Sequence, residues 1–388
     1  MPPQCRDGLR DTLGSAMQAS LTAGSTRRAQ SRANAFDRWR VWCSAWNVDP
    51  ALGEFSNPIP FMLSYAQQYR DGTVAALGKP VRARQPEEAI RFVGQTLKAL
   101  GHGDKRLDPT TKDVDTRLSN LWKHWKSIDP PPRRVKPVPM MVLHKAQEIA
   151  DRSNCTALRA TSRMMWTGFF FLGRPGEYTA SRSECKFFKM KHVTLLKDGK
   201  ALDLARAPDA TLHCCSDVLL DFDKQKHGHR GERVGQKASG HRYASPTIAI
   251  ADQICHLRAN NASPDTPLCA FAEGGSWFVV TSEMVTDLLR QAVRACPECG
   301  LSPEDISARS LRATGAMAML CDGIDSNKIK LLGRWKSDEM LKYLHIQAEP
   351  LYRDLSARML RGGNYTFAPG SMAHAYFQDQ QPETLYHQ

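Results

Sequence analysis

The feature that most constrains this chain is a break. The run Asp129-Pro130-Pro131-Pro132-Arg133-Arg134-Val135-Lys136-Pro137 interrupts all helical periodicity. Proline has a fixed φ and no amide hydrogen, so such a cluster cannot lie inside a helix and favours an extended, semi-rigid path. Two folded bodies are therefore expected, with residues 130–138 as the linker. With 388 residues, 41% of them hydrophobic, each body has enough apolar material for its own core.

Before the linker, Ala29, Ala33, Phe36, Trp39, Trp42, Cys43 and Trp46 recur at steps of three and four, which traces one face of a helix from Thr26. Arg27, Arg28, Arg32, Arg38 and Arg40 decorate its other sides. Helical patterns follow over Phe61 to Tyr69, Glu87 to Leu100 and Val114 to Trp125, so residues 25–129 read as a four-helix domain. Residues 1–24 and 363–388 lack sustained periodicity and are expected to be flexible ends.

After the linker, residues 139–362 read as a second domain of mixed character. Helices are predicted at Met140 to Ala150 and Ala157 to Leu172. From Phe187 to about Ile250 the pattern becomes β-rich, with runs such as His192 to Leu196 and Val218 to Phe222. Helical patterns resume at Glu283 to Ala295, Pro303 to Cys321, Ser326 to Leu332 and Ser337 to Leu344. The expected fold class is mainly α with a small antiparallel β-sheet set in the second, α+β domain.

Charge bears on partners. Lys and Arg number 53 against 40 Asp and Glu, a net charge of +13, and the field of such a chain attracts polyanions, with nucleic acid first among them. Arg27 and Arg28 on the first helix, with Lys123, Lys126, Arg133, Arg134 and Lys136 around the linker, are candidate contacts to the phosphates of double-stranded DNA. The eleven Cys are scattered. Cys296 and Cys299 form one close pair with no second pair or spaced histidines, so no metal site is expected. No apolar N-terminal segment of the export type is present, which predicts a reducing compartment: the nucleus in a eukaryote, otherwise the cytoplasm. The longest apolar stretch, Met164 to Leu172, is far short of the roughly 20 residues of a membrane helix, so no membrane association is expected.

Four pieces of the second domain carry candidate chemistry. Phe171 to Tyr178 holds Arg174 and, three residues on, Glu177. Phe222 to Glu232 has hairpin character, with Gly228 and Gly231 for turns and Lys226 beside them; Lys224 lies two residues away on the same strand face. Ser307 to Ala316 holds Arg309 and Arg312. Leu332 to Asp338 holds Arg334 and Trp335 and precedes Tyr343. In this order the pieces resemble the motif series of the tyrosine recombinase (phage integrase) family. The stretches Arg309 to Gly315 and Gly333 to Asp338 also resemble Crypton-type recombinases of eukaryotic mobile elements.

That resemblance implies an N-terminal core-binding domain and a C-terminal catalytic domain that close on duplex DNA. It implies cleavage and religation through a 3′-phosphotyrosyl bond to Tyr343, with no metal, ATP or other cofactor, by a homotetramer on DNA. Arg174 and Arg312 would bind the scissile phosphate, because a guanidinium offers a planar fork of donors to phosphate oxygens. Lys226, or alternatively Lys224, would protonate the departing 5′ oxygen, and Glu177 would hold the site. Either Arg334 or Trp335 would fill the family's second His/Trp position.

One departure matters: Arg309 stands where the family carries histidine. Guanidinium stays charged and only donates, so Arg309 can hold phosphate but cannot act as a base. Tyr343, an ordinary phenol with pKa of about 10, would then need surrounding cations to depress its pKa, or His345 or water to take its proton. The departure keeps alive a second reading, a recombinase-derived DNA-binding protein that no longer cleaves. A type IB topoisomerase would use the same chemistry without joining two sites. A metal-dependent nuclease would need clustered carboxylates; Asp221 and Asp223 read instead as charges flanking a turn.

Overall fold

The computed structural model describes residues 12, 26–130, 135–180, 187–222, 232–335, 356 and 359, with the side chains of residues 26 and 27 outside that set. Two compact units divide the chain, Met1–Pro132 and Arg133–Gln388.

In the first unit the described residues form helices α1 (Thr26–Ala45), α2 (Ile59–Arg70), α3 (Arg84–Ala99) and α4 (Thr116–Ile128). Aromatic side chains make the centre of this core. Trp39 and Trp42 stack with ring centroids 5.3 Å apart, and Tyr65 meets them edge-on at 5.0 and 5.4 Å. Each indole N–H finds a partner, Trp39 on the Pro50 carbonyl and Trp42 on Gln68 Oε1, both at 2.9 Å, so the large apolar surface is buried without stranding a donor. Helix α4 starts two residues later than the apolar pattern suggests. Val114 pairs with Leu107 in a bridge, and Asp115 then caps the helix by accepting from the Arg117 N–H at 2.9 Å. At its other end Asp129 accepts from Arg70 at 2.9 Å and from the Ala83 N–H at 2.7 Å. The unit is thus stitched shut immediately before the prolines.

The second unit is mainly helical around a small antiparallel sheet. Helices α5 (Met140–Arg152), α6 (Thr156–Phe170) and the short α7 (Pro175–Tyr178) lead into strands β1 (Val193–Lys197) and β2 (Lys200–Ala201). Then come α8 (Asp209–His213), β3 (Asp217–Phe222), β4 (Glu232–Lys237), α9 (Pro246–Ala259), β5 (Ala270–Glu273) and β6 (Ser276–Val279). Helices α10 (Ser282–Arg294), α11 (Ser310–Cys321) and α12 (Ser326–Leu332) follow. The main sheet has the order β2-β1-β3-β4, every pair antiparallel, with Phe222 opposite Glu232 at the open end of the last pair. Along β3, Val218, Leu220 and Phe222 are buried and alternate with partly exposed residues, as one covered sheet face requires. Helix α6 is the central post: Met164, Met165 and Trp166 are buried, and it packs against α5, α9, α10 and α11. No helix among the described residues is long and apolar enough to cross a membrane.

Two local expectations are corrected, and one element is added. The helix expected from Pro303 begins only at Ser310. Pro303–Asp305 make a single 3₁₀ turn and Ile306 is extended, and Ser310 Oγ then accepts from the Ser307 N–H at 3.2 Å, a local bond that competes with helix. The β-rich reading up to about Ile250 gives way to helix α9 from Pro246, where every residue but Ala259 is buried or half-buried, which erases an amphipathic pattern. The β5–β6 hairpin is an addition to the expected elements. Its signal is Gly274-Gly275, both at positive φ in a two-residue turn.

Helix α11 lies close to the turn that follows α6. A Cβ placed on Gly315 would come within 2.3 Å of Leu172 Cδ2 and 2.6 Å of the Phe169 carbonyl oxygen. Gly315→Ala is therefore expected to destabilise the second unit by about 1–3 kcal/mol, although alanine is the better helix former by about 1 kcal/mol. Urea unfolding followed by tryptophan fluorescence checks this. An unchanged or raised midpoint would mean that α11 does not approach the α6 turn so closely.

Candidate active site

The site is assembled from three separated segments. The first is the turn between α6 and α7. Leu172 takes a left-handed conformation at φ 45°, and Arg174 sits at the N-cap of α7 with Pro175 at the first helical position. Glu177 folds back on Arg174. Its Oε2 accepts from the Arg174 backbone N–H at 2.8 Å and its Oε1 from Arg174 Nη1 at 3.0 Å. The spacing of three residues is thus both a helix cap and an ion pair. Tyr178 is buried, and its hydroxyl donates to the Ala308 carbonyl at 2.8 Å, tying α7 to the residue before Arg309. Burial pushes that phenol well above its ordinary value, so it is a structural tyrosine rather than a nucleophile.

The second segment follows α12, which Asp325 caps by accepting from the Asn327 N–H at 2.9 Å. The helix ends at Gly333, and Arg334 turns the chain with φ at 57°. The Arg334 side chain is only 4% exposed; its Nη2 lies 2.7 Å from Glu177 Oε2, and Nη1 donates to the Phe171 carbonyl at 3.3 Å. Its guanidinium lies 3.8 Å from the centre of the Phe222 ring at the end of β3. Among the described residues no acceptor reaches its buried Nε. Burial is the largest influence on this group and lowers its pKa, Arg174 adds to that, and Glu177 and Glu232 oppose it. Leu172 and Arg334, which flank this contact, both hold a conformation that costs a side-chain-bearing residue of order 1–3 kcal/mol. Strain of this kind persists where surrounding contacts over-determine it.

The third segment is the first turn of α11. Arg312 is buried, and its guanidinium donates to the carbonyls of Leu172 and Gly333. It therefore joins the two other segments just before Arg174 and Arg334. Its cation lies 4.0 Å from the centre of the Trp335 ring. Gly333 leaves room for that ring, since a Cβ there would fall 1.7 Å from Trp335 Cζ3. Arg334 and Trp335 thus both join the cluster, by different contacts.

Arg174 and Arg334 share the Glu177 carboxylate, and the Arg312 guanidinium joins them through the carbonyls of Leu172 and Gly333, so three cationic groups converge here. In a partly desolvated setting such charge acts on an anion far more strongly than in water. Arg174, with 28% of its side chain exposed, is the most accessible of the three. Arg309 is exposed at the head of α11.

The remaining expected residues lie apart from this cluster or outside the described set. Lys226, its alternative Lys224, Tyr343, His345, Asp223, Arg133 and Arg134 lie outside the described residues, as does the side chain of Arg27. Phe222 and Glu232, paired across the sheet, bracket the segment that carries both lysines. Asp221 pairs across the strands with Arg233 at 2.5 Å. Arg28 and Lys123 are exposed, Lys126 pairs with Glu87 at 2.7 Å, and Lys136 pairs with Asp305 at 2.8 Å. Among the described residues no three His, Cys, Asp or Glu side chains are grouped to hold a metal ion. Phe222 and the carbonyls of Phe171, Leu172 and Gly333 had no sequence signal, since backbone acceptors and stacking partners are defined by proximity alone.

No family model matches this chain, and no curated protein does. Solved structures do match. A crystal structure of XerA recombinase is 14% identical, with 87% of this chain and 100% of that one covered at a TM-score of 0.36. The XerH site-specific recombinase bound to difH substrate in a pre-cleavage complex is 12% identical, with 88% and 94% covered at a TM-score of 0.43. Both scores fall below 0.5, too low for the likeness to bear on the chemistry of the site.

Removing the central carboxylate leaves a buried guanidinium without its counter-charge. Glu177→Ala is expected to cost about 3–5 kcal/mol of stability, and Glu177→Gln less, because the amide oxygen still accepts. Equilibrium unfolding of the two variants checks the order. Equal, small losses would show that Arg334 is not held by this carboxylate.

Proposed function

We propose that this chain is a tyrosine-type DNA recombinase that cleaves and rejoins duplex DNA through a 3′-phosphotyrosyl bond to Tyr343, in the manner of the Crypton-type elements its motifs resemble. The observation that supports this best is the convergence of Arg174, Arg312 and Arg334 from three distant segments into one cationic cluster. Attack on a phosphodiester puts extra negative charge on the non-bridging oxygens of five-coordinate phosphorus, and fixed cationic donors are what stabilises it. Arg174 has the exposure to touch phosphate. Arg312 and Arg334 act beneath it, through backbone carbonyls and Glu177. Arg309, exposed and cationic, adds a second donor without supplying a base.

The chemistry balances without an external energy source. The Tyr343 phenol gives up its proton to water or His345 and its oxygen bonds to phosphorus as the 5′ oxygen leaves, which takes a proton from Lys226. The reverse attack by a 5′ hydroxyl restores the phosphodiester and frees the phenol. Bond energy stays in the phosphotyrosine, so neither ATP nor a metal is needed. Assembly as a homotetramer on two duplexes, and a nuclear location in a eukaryotic host, belong to the same proposal.

A second reading has a specific observation in its favour. Arg309 replaces the histidine, and the Arg312 guanidinium is buried on two carbonyls, features that a DNA-binding protein derived from a recombinase would tolerate. The two readings part on a nicked suicide duplex. The enzyme gives a denaturation-resistant protein–DNA adduct in the presence of EDTA, Tyr343→Phe abolishes it, and Arg174→Ala slows it by about 10²–10³. No adduct from the unaltered chain, with duplex still bound, favours the binder.

Lys123 gives a separate test of the first unit. Lys123→Ala is expected to weaken duplex binding alike for all sequences and to reduce the salt dependence of log K by about one unit. An unchanged slope in fluorescence anisotropy titrations would remove α4 from the DNA contact.

A further inference from the structure

The Phe222 ring sits beneath the arginine cluster yet has no part in the chemistry proposed above. It ends β3, is buried, and meets Phe188 edge-on with ring centroids 4.8 Å apart. The Arg334 guanidinium also lies over this ring, 3.8 Å from its centre. That guanidinium reaches Glu177 Oε2 at 2.7 Å, while Glu177 Oε1 receives Arg174 Nη1 at 3.0 Å. A continuous line of contacts therefore runs from the last described residue of β3, through Arg334 and Glu177, to the accessible arginine. Phe222 is also the residue from which the segment bearing Lys224 and Lys226 departs.

We propose that Phe222 is a positioning residue, which sets the Arg174 guanidinium through Arg334 and Glu177. This rests on the recombinase reading for its catalytic consequence, but not for the coupling itself. The geometry gives three reasons. Arg334 is held at few points: its Nε reaches no acceptor among the described residues, so the face of the ring, one carboxylate and a longer bond to the Phe171 carbonyl define the plane of the fork. Its backbone is left-handed, so the side chain departs from a fixed, strained base. Glu177 serves two arginines with its two oxygens, so any swing of Arg334 moves the oxygen geometry that Arg174 experiences. An aromatic face is required here because its quadrupole attracts the cation over the whole ring, whereas an aliphatic side chain of similar size only fills space.

The test uses the full-length chain and one double-mutant cycle on duplex affinity, Phe222→Leu against Arg174→Ala, read by anisotropy with a labelled duplex. Phe222→Leu alone is expected to weaken binding about fivefold and to add less than about twofold once Arg174 is already alanine, the sub-additivity of residues acting through one group. Strict additivity overturns the coupling. The catalytic consequence is read at saturating duplex as the single-turnover rate of adduct formation. Phe222→Leu slows it about tenfold, Phe222→Tyr and Phe222→Trp restore it, and Phe222→Leu has no further effect in an Arg334→Met background. Thermal unfolding of each variant distinguishes positioning from simple damage. If Phe222→Leu loses rate only in proportion to lost folded protein, or if Phe222→Trp fails to rescue a well-folded variant, the assignment falls. An unaltered chain that forms no adduct while the affinity cycle is sub-additive sinks the recombinase reading and leaves the positioning role standing. Adducts with an additive cycle do the reverse.

Discussion

The carboxylate of Glu177, divided between Arg174 and Arg334, is the contact on which the second unit's site depends. A buried guanidinium without a counter-charge is unstable, and the Arg334 side chain is almost wholly removed from solvent. Glu177 resolves that problem while its other oxygen holds Arg174 at the edge of the cluster. One anion thus fixes two cations of different duty, one internal and one accessible.

Around that contact the backbone is arranged to be donated to. Arg312 reaches the carbonyls of Leu172 and Gly333, Arg334 that of Phe171, and Tyr178 that of Ala308. Helix ends and turns leave carbonyls unpaired, and here arginine and tyrosine side chains satisfy several of them. The same bonds pull the turn after α6, the start of α11 and the end of α12 together. Structural and chemical roles are therefore not separable residue by residue: an arginine that holds the backbone also contributes its charge to the site.

Much of the outline was legible along the chain. The proline run marked the division into two bodies, because proline cannot continue a helix whatever surrounds it. The aromatic face Phe36, Trp39, Trp42 marked α1, and the alternation through Val218, Leu220 and Phe222 marked β3, since periodicity records which face will be buried. Arg174 and Glu177 were readable as a pair at helical spacing. Where periodicity is weak, reading failed. Helix α9 is covered on nearly every side, and the start of α11 is decided by serine hydroxyls rather than by apolar spacing.

The sequence alone determined the local items: helix faces, turns, the basic balance, and the order of Arg174, Arg312, Arg334 and Trp335 along the chain. Each comes from covalent spacing and intrinsic side-chain character, which do not need a fold to be defined. Only the tertiary structure decided that Arg334 turns inward onto Glu177 while Trp335 packs on Arg312, and that Phe222 lies under the arginine. Those outcomes depend on which surfaces meet between segments far apart in the chain, as the 157-residue separation of Arg334 from Glu177 shows. No local pattern encodes such a meeting, because its free energy comes from burial and charge pairing that exist only once the segments are packed together.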